Sequence, residues 1–220
     1  MNGEGHPYQV EPSEDRYWQA RHELAAAARA LNETVVSTDI SLDTATEITE
    51  AMRQLTQRLK KEPQLTGFVD MARRKDRGSI DNVMGELVAM AGRSHPSAPA
   101  LTRHEEPNRI VGEVMFGPAF EGPPGHAHGG WVAGILDHLM GMTHVKTGRP
   151  GMTSGLSVRY LKPTPLNTKI HINAETTEID ERRTEVTASM RVGDTLTATA
   201  EAIFVRVDAA KFGLDAEDSR

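Results

Sequence analysis

Polar and apolar residues alternate in four successive segments of the C-terminal half of the chain. The segments cover residues 156–161, 170–175, 185–192 and 196–204, and turn residues separate them. A period of two places every second side chain on the same face of a strand. The pattern therefore predicts four antiparallel strands whose sheet has one apolar and one polar face.

A single helix is predicted just before these strands, over residues 129–144. Its apolar residues recur at intervals of three and four, which is the spacing of a buried helix face. These residues are Trp131, Val132, Ile135, Leu136, Leu139 and Met140. A second line along the helix consists of small residues, with Asp137 as the one acid among them. Small side chains there predict that another backbone or a ligand approaches closely beside Asp137.

A strand over residues 109–116 and a loop over 117–125, rich in glycine and proline, precede this helix. The resulting order is strand, loop, long helix and four strands. Because only one helix lies among the strands, we predict an α+β fold in which an antiparallel sheet wraps around a central helix. This domain covers residues 98–208, and a short charged tail follows at 209–220.

Residues 1–93 are predicted to form a helical N-terminal extension of three amphipathic helices. The second helix carries Thr44-x-x-Glu47, the pattern of a capping box, before an apolar stripe. The third helix has Ser79 as its N-cap and ends at Gly92. The stripe of the second helix consists of Ile48, Met52, Leu55 and Leu59.

The extension shows no catalytic pattern, which leaves two interpretations of its role. It is a cap that packs on the rest of the chain or on a partner subunit, or it is a lid or docking module over a site. The basic cluster Arg73-Arg74-Lys75 would suit a phosphate in the second interpretation, although a run of charges is usually a solvated surface.

Composition narrows the functional classes. The 220 residues carry a net charge of −6 and the sequence pI is about 5.9, which argues against a nucleic-acid-binding protein held by charge. The chain contains no cysteine, so disulfides, thiol nucleophiles and cysteine-based metal sites are excluded. No apolar run approaches the ~20 residues of a membrane span, and no secretory signal is visible. We therefore expect a cytoplasmic protein without a membrane span.

A set of short motifs around the central helix resembles a known family. His-Gly-Gly at 128–130 opens the helix and follows a Gly-Pro-Pro-Gly loop at 122–125. Asp137 lies nine positions after the histidine, Thr153 lies sixteen positions after Asp137, and Tyr-Leu-Lys-Pro-Thr-Pro-Leu occupies 160–166. Together these features resemble the hotdog-fold acyl-CoA thioesterases, in particular the PaaI-like and thioesterase-superfamily-member-4-like group.

The resemblance covers about half of the chain and implies a homodimer, or a dimer of such dimers, that acts on an acyl-CoA. In such a dimer the two central helices lie side by side, the sheets are continuous, and the active sites lie at the subunit boundary. The helix N-terminus polarises the thioester carbonyl, and the helix acid acts on water or on the carbonyl carbon. A hydroxyl from the partner subunit orients the nucleophile.

The positions of the motifs assign each of these roles to a residue of this chain. The Gly129 N–H, with help from Gly130, is the expected oxyanion donor, because preformed N–H groups and a helix dipole stabilise the charge of an attacked carbonyl. Asp137 is the expected general base or nucleophile, and the sequence leaves these two mechanisms open. Thr153 is expected to hydrogen-bond the water or Asp137 across the dimer, and Ser154 is the alternative hydroxyl.

The remaining candidates concern substrate and metal binding. His128 is expected either to orient its loop by bonding a backbone carbonyl or to contact the thioester. Arg159 and Lys162 are candidates for binding the CoA phosphates, although each of them alone is better explained as a solvent-exposed cation at the end of a strand. The histidines near the helix lack the spacing and the further carboxylate of a metal site, so we expect neither a metal nor another cofactor. These histidines are His126, His128, His138 and His144.

Three alternatives remain open. A non-catalytic acyl-CoA-binding hotdog protein would keep the pocket and lose turnover, but the presence of both Asp137 and Thr153 argues against it. A hotdog hydratase or dehydratase would need an acid and a histidine at one atom, whereas Asp137 and His138 point about 100° apart on a helix. An assembly protein would depend on residues 1–93, and deletion of this extension would test that role.

Overall fold

The computed structural model describes residues 15–74, 78, 80–148 and 151–207, and within them five α-helices and a six-stranded sheet. The helices are α1 (Arg16–Ser37), α2 (Leu42–Leu59), α3 (Phe68–Ala72), α4 (Ile80–Leu87) and α5 (Gly129–Val145). The strands are β1 (Ala100–Glu106), β2 (Arg109–Met115), β3 (Gly151–Tyr160), β4 (Ile170–Ile179), β5 (Arg183–Val192) and β6 (Thr195–Arg206). A short 3-10 turn, Pro118–Phe120, precedes α5.

The sheet is ordered β1-β2-β4-β5-β6-β3, so β1 and β3 form its two edges. Every neighbouring pair of strands is antiparallel. The long helix α5 contacts β2, β3, β4, β5 and β6. Its apolar line packs into the sheet, where Ile135, Leu136 and Leu139 have 0% of their surface exposed. The α+β fold with a sheet around one central helix is therefore confirmed.

The alternating patterns of β4, β5 and β6 are confirmed, because their apolar positions are buried. The buried positions are Ile170, Ile172, Ala174, Val186, Ala188, Met190, Ala198, Ala200, Ala202 and Phe204. The alternation of β3 has a different outcome, since Leu156 and Tyr160 are 40% and 55% exposed. As an edge strand, β3 has a neighbour on one side only, and its other side is open to a further element.

The sequence pattern does not predict β1, since the first strand it predicts begins at Arg109. The inward positions of β1 include Leu101 and Arg103, each 8% exposed. A buried arginine interrupts the apolar alternation on which strand prediction depends. Arg103 is accommodated because its Nη1 donates to the sulfur of Met142 at 2.9 Å and its Nη2 lies 3.4 Å from a carboxylate oxygen of Glu105.

The helix α1 joins the N-terminal helices to the sheet domain. At one end, Trp18 packs with Met71 and Val83 in a small second core. Near the other end, the carboxylate of Glu33 accepts the backbone N–H of Ala119 at 2.8 Å. This bond holds α1 against the 3-10 turn that leads into α5, so this part of the extension packs on the rest of the chain.

Two helix boundaries differ from the prediction. The helix α2 begins before the Thr44-x-x-Glu47 pattern, because Ser41 is its N-cap and the Ser41 hydroxyl accepts the Thr44 N–H at 3.2 Å. The helix predicted to end at Gly92 ends at Leu87 and is followed by turns. Its predicted N-cap Ser79, Lys75 of the basic cluster and the tail 209–220 lie outside the described residues. The division of the chain near residues 93–98 stays a prediction.

Candidate active site

His128 is the N-cap of α5 and holds its first turn. The backbone N–H of His128 donates to the carbonyl of Phe120 at 2.8 Å, and its Nδ1 accepts the N–H of Gly130 at 3.0 Å. His128 therefore orients the start of the helix, but its side chain bonds a backbone N–H instead of the expected carbonyl. Because the Gly130 N–H is bound in this way, the structure does not leave it open as a second oxyanion donor.

Gly129 is the first residue of α5, and its N–H donates to no acceptor among the residues that the structure describes. The first N–H groups of a helix have no partner within the helix, and they form the positive end of its dipole. The carbonyl of Gly129 accepts the hydroxyl of Tyr160 at 2.9 Å. The Gly129 N–H is therefore held in place and is open to a carbonyl or anionic oxygen.

Tyr160 is a residue of this site that sequence reasoning missed. A Cβ on Gly129 would lie 3.4 Å from the Tyr160 ring, so the ring lies directly against the glycine. Tyr160 opens the motif at 160–166, and the signal for it was thus part of the resemblance. The motif alone gives no reason to connect a strand-end tyrosine with the helix N-terminus.

The two motifs on either side of α5 pack against each other. Ala127 donates its N–H to the carbonyl of Thr164 at 2.8 Å, and Leu166 donates its N–H to the carbonyl of Gly125 at 3.1 Å. Gly125 has a φ of +75°, a left-handed conformation that favours glycine. The Gly-Pro-Pro-Gly loop and the segment that follows β3 therefore form one support for the start of α5.

Asp137 lies on a partly exposed side of α5 and accepts the hydroxyl of Thr153 at 2.9 Å. The pairing of β3 with β6 is irregular between Thr153 and Gly155, and there Ser154 donates its hydroxyl to the carbonyl of Ile203 at 3.0 Å. The structure therefore brings Thr153, and not the alternative Ser154, to the acid. This contact forms within one chain, which corrects the expectation that Thr153 reaches Asp137 across a dimer.

A single chain keeps the N–H donor and the acid apart. Gly129 and Asp137 are eight residues apart on one helix, and a rise of about 1.5 Å per residue separates them by about 12 Å along the axis. Groups that act on one carbonyl must lie within about 3–3.5 Å of the reacting atoms. The Gly129 N–H and the Asp137 carboxylate of the same chain therefore cannot act on one carbonyl group.

Another part of the chain packs closely against the line of small residues on α5. A Cβ on Gly134 would lie 2.8 Å from the sulfur of Met90, which follows α4. This close approach is made by a side chain at Gly134, so the predicted approach of a backbone or a ligand beside Asp137 stays a prediction. The side chain belongs to the N-terminal extension, so this extension reaches the helix about one turn from Asp137.

The candidate cations Arg159 and Lys162 are exposed at the end of β3, and within the described residues no hydrogen bond or ion pair engages the side chain of either one. Their contact with CoA phosphates stays a prediction. In the described part of the chain, no group of three or more histidine, cysteine, aspartate or glutamate residues is placed to hold a metal ion. One of the four histidines, His144, is buried and stacks on Phe204 with ring centroids 5.0 Å apart.

The segment that holds this site is similar to a known protein family. Residues 124–199 match the family model of the Thioesterase superfamily, and they include Gly129, Asp137 and Thr153. This part of the chain is therefore similar to the thioesterase superfamily. The crystal structure of protein RHA08564, a thioesterase superfamily protein, superimposes with a TM-score of 0.71 at 23% identity, over 84% of this chain and 94% of that one. The shared fold therefore extends beyond residues 124–199.

Curated relatives match about half of the chain. The acyl-coenzyme A thioesterase THEM4 of Rattus norvegicus is 32% identical over 114 residues, which are 51% of this chain and 49% of that protein. THEM4 of Xenopus laevis is 33% identical over 101 residues, 45% of this chain and 46% of that protein. The chain thus spans about half the length of the curated relatives that it matches.

Replacing His128 tests its role as the N-cap of α5. His128→Ala is expected to lower the free energy of unfolding by about 1 kcal/mol, because the Gly130 N–H loses its acceptor. His128→Asn should restore most of this loss, since asparagine is a favoured N-cap. Urea denaturation of the three proteins measures both effects. Equal stability of His128→Ala and the wild type would contradict the assigned role.

His138 on α5 is expected to make folding sensitive to acid. Burial and the nearby charge of Arg103 lower the pKa of His138 to about 4, from an ordinary value of 6.5. Between these two pH values the unfolded chain binds a proton that the folded chain does not, so stability falls as the pH drops from 6.5 to 4. His138→Gln should remove up to about 3 kcal/mol of this loss.

The exposed His104 on β1 is the control for this comparison. Denaturant unfolding at a series of pH values gives the free energy of unfolding as a function of pH. Its change with pH should be that of the wild type in His104→Gln and smaller in His138→Gln. An identical change with pH in all three proteins would show that His138 does not titrate with folding.

Proposed function

We propose that this protein is an acyl-CoA thioesterase that hydrolyses an acyl-CoA to a free acid and CoA. The observation that carries this proposal is that α5 bears two groups suited to this reaction. The helix begins with a Gly129 N–H that has no acceptor among the described residues, and it bears a carboxylate that a hydroxyl holds in place. Relatives of the same domain named acyl-coenzyme A thioesterases support the choice of substrate.

The chemistry follows from the charge that develops on the thioester. The carbonyl oxygen accepts the Gly129 N–H and gains negative charge when the carbonyl carbon is attacked, and one such donor lowers the barrier by about 2.7–4 kcal/mol. Asp137 either takes a proton from the attacking water or attacks the carbonyl carbon itself to form an anhydride that water then opens. In both cases the C–S bond breaks, and CoA leaves as a thiol once its sulfur receives a proton.

The proposed enzyme is a homodimer, since one chain cannot assemble this site. The Gly129 N–H of one copy must meet the Asp137–Thr153 pair of a second copy, because about 12 Å separates the two groups along one helix. The ten-residue edge strand β3, exposed along most of its length, offers unpaired backbone groups to a second copy. Pairing there would extend the sheet and bring the two α5 helices towards each other.

Two further properties belong to the same proposal. Arg159 and Lys162 are exposed cations on the strand end that follows the site, where they are suited to the phosphates of CoA. A cytoplasmic location suits an enzyme acting on CoA esters. Among the helices that the structure describes, none is long and apolar enough to cross a membrane.

Gly129→Pro deletes the proposed oxyanion donor with little disturbance of the helix. Proline is favoured at the first position of a helix, and His128 already has φ −62° and ψ 135°, a conformation compatible with a following proline. We expect kcat to fall by about 10²–10³. Gly129→Ala, which keeps the N–H and adds a Cβ in the same place, should lose far less.

The measurement is release of the CoA thiol from short, medium, long-chain and aromatic acyl-CoAs, with circular dichroism to confirm folding of both variants. Equal turnover by Gly129→Pro and Gly129→Ala would show that this N–H does not stabilise the reacting carbonyl. Binding of acyl-CoA by the wild type without turnover of any substrate would favour the non-catalytic binding protein.

A further inference from the structure

The helix α2 carries a narrow line of apolar residues that the rest of the chain leaves largely open. This line, the α2 seam, consists of Ala45, Ile48, Met52, Leu55 and Leu59. Met52, Leu55 and Leu59 are 41%, 55% and 55% exposed, and no residue of α2 is buried. Among the helices and strands that the structure describes, none packs extensively against α2. Because amphipathic helices derive most of their stability from packing of the apolar face, the seam indicates a further contact.

The α2 seam has the spacing of a coiled coil. Its members follow one another at intervals of three, four, three and four residues. This heptad spacing is typical of a helix that packs along another helix, and it is narrower than the apolar face of a helix that packs on a sheet. The positions that flank the seam carry no acid, and they are Thr44, Thr49, Ala51, Thr56 and Arg58. Repulsion between acids at the edges of the seam therefore does not oppose pairing with an identical helix.

The charged residues of α2 are divided between its two halves. Those of the first half are all acidic, those of the second half are all basic, and two lysines follow the helix. They are Asp43, Glu47 and Glu50, then Arg53 and Arg58, and finally Lys60 and Lys61. An antiparallel pair of identical helices places each acidic half against a basic half, whereas a parallel pair opposes like charges. The charges of α2 are thus complementary to those of a second, antiparallel α2.

The same division of charge disfavours a lipid surface as the contact. Helices that lie on anionic membranes carry lysine and arginine along their polar face and present a broad apolar one. The first half of α2 carries Asp43, Glu47 and Glu50 instead, and the seam is narrow. A second copy of this chain fits these observations better than a membrane does.

An open cavity of about 820 Å³ gives a second helix space beside the seam. From α2 it is lined by Ala45, Ile48 and Met52, which form the first part of the seam. From α1 it is lined by Val35 and Val36, which are 52% and 58% exposed. The cavity therefore has apolar walls on both sides that the chain itself does not fill.

The second part of the seam can fill this cavity in another copy. Leu55 and Leu59 do not line the cavity of their own chain. In the antiparallel register that covers the larger seam residues, Leu59 of one copy lies opposite Ile48 of the other, and Leu55 lies opposite Met52. The exposed leucines of each copy then enter the cavity of the other, so both open apolar surfaces are covered by one contact.

We propose that α2 pairs with α2 of a second copy of this chain, in an antiparallel arrangement with two-fold symmetry. Such an interface uses the same residues of both copies, which the self-complementary charges of α2 permit. The inference depends neither on the proposed thioesterase function nor on pairing through β3. It assigns a role in assembly to the part of the helical extension that does not pack on its own chain.

Disulfide formation between introduced cysteines tests both the pairing and its direction. The chain has no cysteine of its own. Full-length Ile48→Cys and Leu59→Cys chains with different affinity tags would be mixed under reducing conditions and then oxidised with glutathione disulfide. The antiparallel pair predicts a disulfide between the two variants. It predicts almost none within either variant alone, because equivalent positions of the two copies lie about 16 Å apart along the axis.

A charge on the seam should prevent this pairing. Leu55→Glu, added to both cysteine variants, is expected to lower the yield of the mixed disulfide by at least about tenfold, because two-fold symmetry buries the unpaired carboxylate twice. Gln57→Glu places the same charge on the opposite face of α2 and should leave the yield within about twofold. Circular dichroism confirms that the variants fold. Equal yields in Leu55→Glu and Gln57→Glu would overturn the proposal.

Other contacts of the seam give different results. Disulfides within each cysteine variant, but not between the two, would show a parallel pair and contradict the antiparallel one. Absence of any disulfide would overturn the proposal. If vesicles of phosphatidylglycerol then bind the wild type and not Leu55→Glu, the seam docks on a lipid surface instead. Because no acyl-CoA is used, each of these results is independent of the proposed activity.

Discussion

Burial of one face of α5 in the sheet fixes the position of this helix, and the geometry of the candidate site follows from that position. Ile135, Leu136 and Leu139 are fully buried between the strands, so the helix cannot rotate or slide without opening the core. That fixed position sets where the first N–H of the helix and its one carboxylate lie. The sheet domain thus fixes the positions of two chemical groups on one helix.

Side chains from neighbouring segments orient the two chemical groups of α5, the Gly129 N–H and the Asp137 carboxylate. At the helix start, His128 binds the Gly130 N–H and Tyr160 binds the Gly129 carbonyl, so the Gly129 N–H keeps its direction. Two turns later, the hydroxyl of Thr153 holds Asp137. Preorganised groups of this kind need little reorganisation when charge develops on a substrate. The distance between the two groups is also what makes a second copy necessary in the proposed mechanism.

The sequence predicts the elements whose burial follows a simple period. The strands β4, β5 and β6 and the helix α5 have regular apolar patterns, and all four are found. The strand β1 was missed because the buried Arg103 interrupts its pattern. The stripe on α2 was recognised, but a periodic pattern shows which face is apolar and not what covers it. The offset between Asp137 and Thr153 predicts a pair but does not say whether one chain or two provide it.

A mixed dimer of two variants tests whether each active site is built from two chains. Gly129→Pro and Asp137→Asn chains with different affinity tags would be co-expressed, and the dimer carrying both tags would be isolated and assayed for CoA release. If each site joins Gly129 of one subunit with Asp137 of the other, the mixed dimer has one site with both substitutions and one intact site. The mixed dimer should then have about half of the wild-type kcat, while both parent variants are nearly inactive. A mixed dimer as inactive as its parents would contradict the account.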